Sequence, residues 1–220
     1  MPSPALAQAY QCTPPARIGP IAPVAPDGPP RRVAIGGYTL ALSWSPEYCR
    51  GEQAKREPMQ CGGASGRFGF VVHGLWPEAQ VGPPPQWCGG AAIAPELLRR
   101  NLCMTPVPWL IAHEWAKHGS CMARSPEGYE KASAILWRSL AMPDADLLSR
   151  KDGLTVGALR QTFVIANPEW RADEVGVLVS PRGWLQELRL CYSRRYLPVR
   201  CPAERFGPAD ATPLKIWRGL

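Results

Sequence analysis

Three histidines in 220 residues are few, no two cysteines stand as Cys-x-x-Cys, and no uncharged apolar run is long. Each shortage excludes something. The longest such run, residues 33–46, contains Gly36 and Gly37 and stops at Pro46, well short of the roughly 18 residues that cross a bilayer, so no membrane helix and no membrane partner are expected. Without a Cys-x-x-Cys pair, a structural zinc site lacks its usual ligand spacing. No internal repeat is present. A chain that is 45% hydrophobic and 20% charged is neither a disordered tail nor a rod, and its length fits one domain with a real core.

The cysteines are even in number: Cys12, Cys49, Cys61, Cys88, Cys103, Cys121, Cys191 and Cys201. Scattered in this way they read as four disulfides, which persist in an oxidising compartment and call for export. The opening Met-Pro-Ser-Pro has neither the basic region nor the long apolar region of a signal peptide. Small residues alternate over Pro4–Ala9, so residues 1–9 are expected to be a signal remnant, with an Ala/Pro-rich tail as the alternative. The net charge is +7, and five of those seven excess charges lie in residues 182–220. That favours a polyanionic partner without naming one; a solvated basic surface explains it equally.

Nine of the first 30 residues are proline, which cannot donate to a helix or sheet ladder, so residues 1–35 read as an irregular arm ahead of a single domain at 36–220. Tyr38, Leu40, Leu42 and Trp44 alternate with smaller or polar residues, predicting a strand buried on one face. A polar loop, Glu47–Gly66, should follow, and the apolar run Arg67–Trp76 predicts a central strand covered on both faces. Helices are predicted at Pro95–Met104, Thr105–His118, Ser125–Met142 and Thr155–Ala166, and a last strand at Leu185–Tyr192. Strands at both ends with helices between them predict an α+β fold: a mainly antiparallel central sheet with helices around it, in one disulfide-stabilised domain.

All three histidines fall in two short segments, Phe70-Val-Val-His-Gly-Leu-Trp-Pro77 and His113-Glu-Trp-Ala-Lys-His-Gly-Ser-Cys121. Imidazole both takes and gives a proton near neutrality, so His73 and the second pair are candidates for acid–base chemistry. A lone histidine at a strand end, such as His73, is otherwise a hydrogen-bonded structural residue. On a helix with His113 at 0°, Lys117 falls at about 40°, Glu114 at about 100° and His118 at about 140°, leaving Ala112, Trp115, Ala116 and Gly119 for the core face. An amphipathic helix would turn the same arc to solvent, with Glu114 paired to Lys117 and His118. His-Glu also opens a zinc-protease motif, but there the histidines are four apart. Here they are five apart and diverge by about 140°, so a shared zinc is not expected.

Together the two segments, in this order and about forty residues apart with a cysteine between them, resemble the two active-site segments of the ribonuclease T2 family, the acid, transferase-type endoribonucleases. Trp44-Ser-Pro46 with Cys49, and Cys191 with a partner ten residues on, add to a resemblance running from Tyr38 to Cys201. It implies metal-independent cleavage of single-stranded RNA, with no cofactor: the 2′-hydroxyl attacks phosphorus, leaving a 2′,3′-cyclic phosphate and a free 5′-hydroxyl. By this resemblance His118 is the base, His73 the acid, Lys117 and Glu114 stabilise and orient, and His113 holds phosphate. Trp76 matches a base-stacking position, although a buried Trp capping the strand reads as well. Glu78 stands where some members carry a base-binding Asp, and Trp87 is a second candidate platform; broad base preference is expected. The implied bridges are Cys88–Cys121, Cys49–Cys61 and Cys191–Cys201, leaving Cys12–Cys103.

A secreted binding or toxin-like protein on the same scaffold, without catalysis, is the alternative. Five chemically costly residues, His73, His113, Glu114, Lys117 and His118, argue against it. A monomer is expected. A secreted or periplasmic location is expected; the absence of any Asn-x-Ser/Thr acceptor, with Trp, Pro and Arg richness, favours a bacterial over a glycosylated source and so the periplasm over the lysosome.

Overall fold

The computed structural model describes residues 9–219, so all of the expected signal remnant except Ala9 lies outside the described residues. In chain order the first elements are β1 (Ala9–Cys12), β2 (Ile35–Trp44), one-turn helices α1 (Ser45–Tyr48), α2 (Gln53–Arg56) and α3 (Pro58–Cys61), β3 (Gly66–Phe68) and β4 (Phe70–Ala79). Then come α4 (Pro95–Asn101), α5 (Pro108–Lys117), α6 (Pro126–Arg138), α7 (Ala145–Leu148), α8 (Val156–Ala166), β5 (Val175–Val179), β6 (Leu185–Ser193) and α9 (Ala203–Phe206). The fold is α+β. Its main sheet runs β4-β2-β6-β5 with every pair antiparallel, and β1 pairs with β3 in a separate two-stranded ribbon.

Two strand expectations need correction. The alternation in β2 predicts one buried face, yet Thr39 and Ala41 are as buried as Leu40 and Leu42. The strand lies between β4 and β6 with both faces covered, and small side chains on the second face let neighbouring elements approach. Conversely β4 is buried along most of its length but forms a sheet edge. The connection between α4 and α5, together with α6, covers it in place of a strand: Val72 N–H donates to Met104 O, Thr105 Oγ1 to Val72 O, and Tyr129 Oη on α6 accepts from Leu75 N–H. The edge position also explains why Pro77 does not end the strand, since an edge residue needs no second ladder donor. Arg67–Trp76 itself is split between β3 and β4.

Helix ends follow local chemistry. Ser125, Asp144 and Thr155 each cap a helix through the side-chain oxygen, a cap worth about 1 kcal/mol. The second predicted helix starts at Pro108, not Thr105: Pro106 and Pro108 prevent an earlier start, and Thr105 is spent on β4. The third ends at Arg138 rather than Met142 because the Asn167 side chain takes both the N–H and the C=O of Ala141. The expected loop Glu47–Gly66 folds into three single turns around the Cys49–Cys61 bridge. β5, the five-residue run Val175-Gly-Val-Leu-Val179, is a strand that the sequence expectations above do not include.

The bridges are Cys12–Cys103, Cys49–Cys61, Cys88–Cys121 and Cys191–Cys201: the three pairs that the resemblance implies, and the pair left over. Residues 13–34 form no helix or strand apart from a bridge between Arg31 and Gln86. This arm is nonetheless docked, with Ile18, Ile21 and Val24 against the core. At the other end Arg160 on α8, fully buried, gathers Val175 O, Phe206 O, Pro208 O and the Asp210 carboxylate. A buried guanidinium is tolerated when its donors are met in this way, and it ties the C-terminal segment to β5. Among the described residues no helix is long and apolar enough to cross a membrane.

Candidate active site

β4 and α5 bring the two histidine segments together. Between Val72, opposite Leu42, and Gly74, opposite Ala41, His73 has no partner on β2. It is the extra residue of a bulge, a device that bends a strand and re-aims a side chain. His73 remains about one-third exposed, at 36% for its side chain. Gly74 is required beside it: a Cβ there would stand 2.1 Å from Glu114 Oε2 and 2.5 Å from Trp76 Nε1. Glycine thus lets the Glu114 carboxylate approach the strand backbone.

Glu114 is buried, at 4% exposure, which corrects the solvent-facing reading of its helix arc. α5 is packed on two sides, so Trp115 and Glu114 are both interior. The carboxylate accepts a hydrogen bond from Trp76 Nε1 at 2.7 Å. Its two oxygens lie 3.8 Å from His73 Nε2 and 4.0 Å from His118 Nε2, so it stands between the two imidazoles. Trp76 completes the group, its ring 5.1 Å from that of His73 and 5.8 Å from that of His118. It is half-buried with its N–H engaged, and one part of the ring borders the site.

Burial biases these groups differently. Desolvation pushes Glu114 up to about 7, against the charges of His73 and Lys117 and the Trp76 hydrogen bond. It pushes His118 down to about 3, helped by the positive charges of Lys117, His113 and His73. For His73 burial acts downward, but the Glu187 hydrogen bond and the charges of Glu114 and Glu187 outweigh it and hold the imidazole above its ordinary value. One imidazole is therefore kept neutral and the other charged, the division that acid–base catalysis requires. Glu187 on β6 makes a closer contact with His73 than Glu114 does, 2.8 Å to Nδ1. No sequence signal marks it, because it is brought in across the sheet.

His113 is set apart. It stacks on Trp109 at 4.9 Å and meets the Trp87 ring edge-on at 5.5 Å; burial and the charge of Lys117 hold it low. His118, by contrast, is the residue after the last turn of α5, with its N–H on Glu114 O. Among the described residues, the Nδ1 atoms of His113 and His118 are buried without a hydrogen-bond partner. Among the described residues no group of three or more His, Cys, Asp or Glu is arranged to hold a metal ion.

The remaining candidates are less open. Trp87 is buried, with its N–H on Asp27 and its backbone N–H on Lys117 O; in this arrangement it packs under the arm and offers no free face, a correction to its reading as a platform. Glu78 is held by Thr39 Oγ1 at 2.7 Å and by Arg205. Lys117 is engaged by Asp27 at 2.5 Å. Cys88–Cys121 joins the loop after β4 to the turn after α5, and the Ser120 hydroxyl bridges the same elements by accepting from Cys88 N–H and donating to Ala116 O. A cleft of about 650 Å³ opens on the far side of His73, bordered by Ser43, Tyr48, Trp109, Arg182 and Glu187.

The description "Ribonuclease T2 family" belongs to the family model that matches residues 35–142. A probable ribonuclease of Haemophilus influenzae is 30% identical over 186 residues, covering 79% of this chain and 63% of that protein. A ribonuclease of Aeromonas hydrophila is 38% identical over 99 residues, 45% of this chain and 43% of that protein. The chain thus matches less than two-thirds of the length of either relative. In fold it is similar to an RNase-related protein from Calystegia sepium, with TM-score 0.62 at 19% identity over 82% of this chain and 97% of that one. RNase NT, solved in complex with 5′-AMP, superposes with TM-score 0.61 at 17% identity over 83% and 98% of the respective chains. With the histidine segments, the antiparallel sheet and the bridges all in agreement, the chain is similar to the ribonuclease T2 family in sequence over residues 35–142 and in fold over most of its length.

Proposed function

We propose that this protein is a metal-independent endoribonuclease that cleaves single-stranded RNA through 2′,3′-cyclic phosphates, with broad base preference. The observation that carries the reading is the oppositely biased imidazole pair, His118 held neutral and His73 held charged, on either side of Glu114. Neutral His118 takes the proton of the ribose 2′-hydroxyl as its oxygen attacks phosphorus. His73 gives its proton to the departing 5′-oxygen, which leaves as a free hydroxyl. The positive charge of Lys117 stabilises the non-bridging oxygens as charge builds on them, and His113 holds the phosphate.

Glu114, pushed up to about 7, is protonated in most molecules on the acid side of neutrality. Its contribution there is orientation and hydrogen bonding rather than full negative charge. Trp76 stacks a base, an interaction worth about 1–3 kcal/mol, and Glu78 adjusts base contacts only through the hold of Thr39 and Arg205. Four disulfides fit an oxidising compartment; the periplasm or the exterior is the proposed location, and a monomer the proposed state.

The test is incubation with single-stranded RNA in excess chelator, followed by end analysis. Cyclic phosphates that vanish in His118→Ala are expected. No cleavage anywhere between pH 4 and 8 would falsify the proposal, and activity abolished by chelator would return the metal-dependent reading.

A further inference from the structure

We propose that Glu187 is the positioning residue of His73: the β6 carboxylate holds the imidazole with Nδ1–H directed at itself and Nε2 directed at the reacting phosphodiester. This deepens the ribonuclease reading and rests on it.

The geometry is a row across three adjacent strands. Ser43 on β2 lies directly opposite Glu187 on β6, and His73 projects from the bulge on β4, the neighbour of β2 on its other side. Glu187 Oε2 contacts His73 Nδ1 at 2.8 Å and accepts from Ser43 Oγ at 3.4 Å. Its second oxygen accepts from Arg189 Nε at 2.8 Å. Glu187 is buried, at 4% exposure. A carboxylate taken from water onto a sheet face is costly unless each oxygen is paired, and here both are, one of them by the imidazole.

His73 has a carboxylate on each side, and the two are not equivalent. Around it stand Glu187 and Arg189 from β6, and Glu114, His113 and His118 from α5 and its C-terminal end. Among the described residues Glu114 has no cation within hydrogen-bond distance, and it takes up a proton near neutrality. Glu187 behaves oppositely: burial acts upward on it, but the hydrogen bonds and charges of His73 and Arg189 prevail and keep it ionised. On the acid side of neutrality Glu187 is therefore the anion that His73 faces. A carboxylate on Nδ1 fixes which nitrogen presents the proton and supports the imidazolium form, the arrangement in which a histidine donates a proton to a leaving group.

A carboxylate acting through the acid has a signature that a merely structural one lacks. The experiment compares the unsubstituted protein with Glu187→Gln and Glu187→Asp on two substrates. One is single-stranded RNA, whose 5′-alkoxide leaving group needs a proton. The other is a uridine 3′-(4-nitrophenyl phosphate), whose leaving group does not. Glu187→Gln is expected to lower kcat on RNA by about 10–100-fold, the usual cost of losing a partner that orients a reacting histidine, with KM little changed and the alkaline limb of the profile moved to lower pH. On the nitrophenyl ester the loss should nearly disappear. Glu187→Asp, one methylene shorter, should fall between on RNA.

Imidazole nitrogen NMR on the same proteins gives a readout independent of turnover: in Glu187→Gln the His73 titration should move to lower pH and its preference for the Nδ1–H tautomer should weaken. Equal losses on both substrates, or a His73 titration and tautomer unchanged in both variants, overturn the role of Glu187. If the unsubstituted protein cleaves neither substrate while the His73 titration still moves, the ribonuclease reading fails and the Glu187–His73 coupling stands.

Discussion

Asp27, on the proline-rich arm, closes an ion pair of 2.5 Å onto Lys117 at the end of α5. The same carboxylate accepts from Trp87 Nε1 at 3.0 Å, and these two hydrogen bonds hold its pKa below the ordinary value. The arm is fastened close by, with Arg31 and Gln86 exchanging backbone hydrogen bonds and the Arg32 guanidinium on Cys88 O. An anion of the protein thus occupies the lysine that the proposed mechanism assigns to phosphate. Asp27→Asn should therefore lower KM for RNA several-fold, leave kcat within about twofold, and strengthen inhibition by inorganic phosphate. Steady-state kinetics and phosphate inhibition constants check this; both unchanged would show that the pair does not compete with phosphate. The effect should shrink with added salt, because the Asp27 side chain is about half exposed.

The imidazole pair predicts the shape of the pH profile. kcat/KM should rise with pH as His118 loses its proton, near 3 in the free enzyme, and fall as His73 loses its own above 6.5. The plateau lies between, on the acid side of neutrality. His73→Ala should remove the alkaline limb along with about 100-fold or more of the rate. A profile flat from pH 4 to 8 would rule out the two-histidine mechanism.

Glu114→Gln separates function from stability. A carboxyl whose folded pKa exceeds its unfolded one binds a proton on folding. The pH-linked cost of its burial is therefore absent at low pH, grows as pH rises past about 4.5, and is complete above about 7. The amide keeps the shape and the acceptor for Trp76 but carries no charge. Denaturant unfolding should find Glu114→Gln equal to the unsubstituted protein near pH 4 and more stable by roughly 3 kcal/mol at pH 8, while ribonuclease activity falls. Equal stability at both pH values would show that the carboxyl is not desolvated.

The Cys88–Cys121 bridge spans 33 residues and joins the loop that follows the first active-site segment to the end of the second. Replacing both cysteines with serine should cost about 3–4 kcal/mol through the freed unfolded chain. It should also lower kcat at temperatures where the protein remains folded, since the turn carrying His118 loses its tie to the Trp87 loop. Removing Cys49–Cys61, which lies in the loop of one-turn helices, should cost stability with a smaller effect on kcat. Chemical unfolding and turnover of the two double variants distinguish these outcomes.

Much of the site was legible in the chain because its chemistry is local. His113, Glu114, Lys117 and His118 share one helix and its end, and His73 and Trp76 share one strand, so their spacing carries information. The burial of Glu114 was not legible. A helical wheel marks a polar arc, but only the approach of Gly74 shows that this arc faces a strand instead of water. The edge position of β4 was hidden for a similar reason, since an apolar run reports that both faces are covered and not what covers them.

The hydrophobic patterning, the cysteine count and the two histidine segments by themselves determined the α+β class, the oxidised state and the family resemblance, because these depend on residue types and short spacings. Tertiary structure alone decided which acids accompany the histidines. Glu187 reaches His73 across 114 residues and Asp27 reaches Lys117 across 90, distances over which no sequence periodicity persists. Whether an imidazole is charged or neutral depends on burial and on what stands within a few ångströms of it, and that is settled only when the strands and the arm are in place.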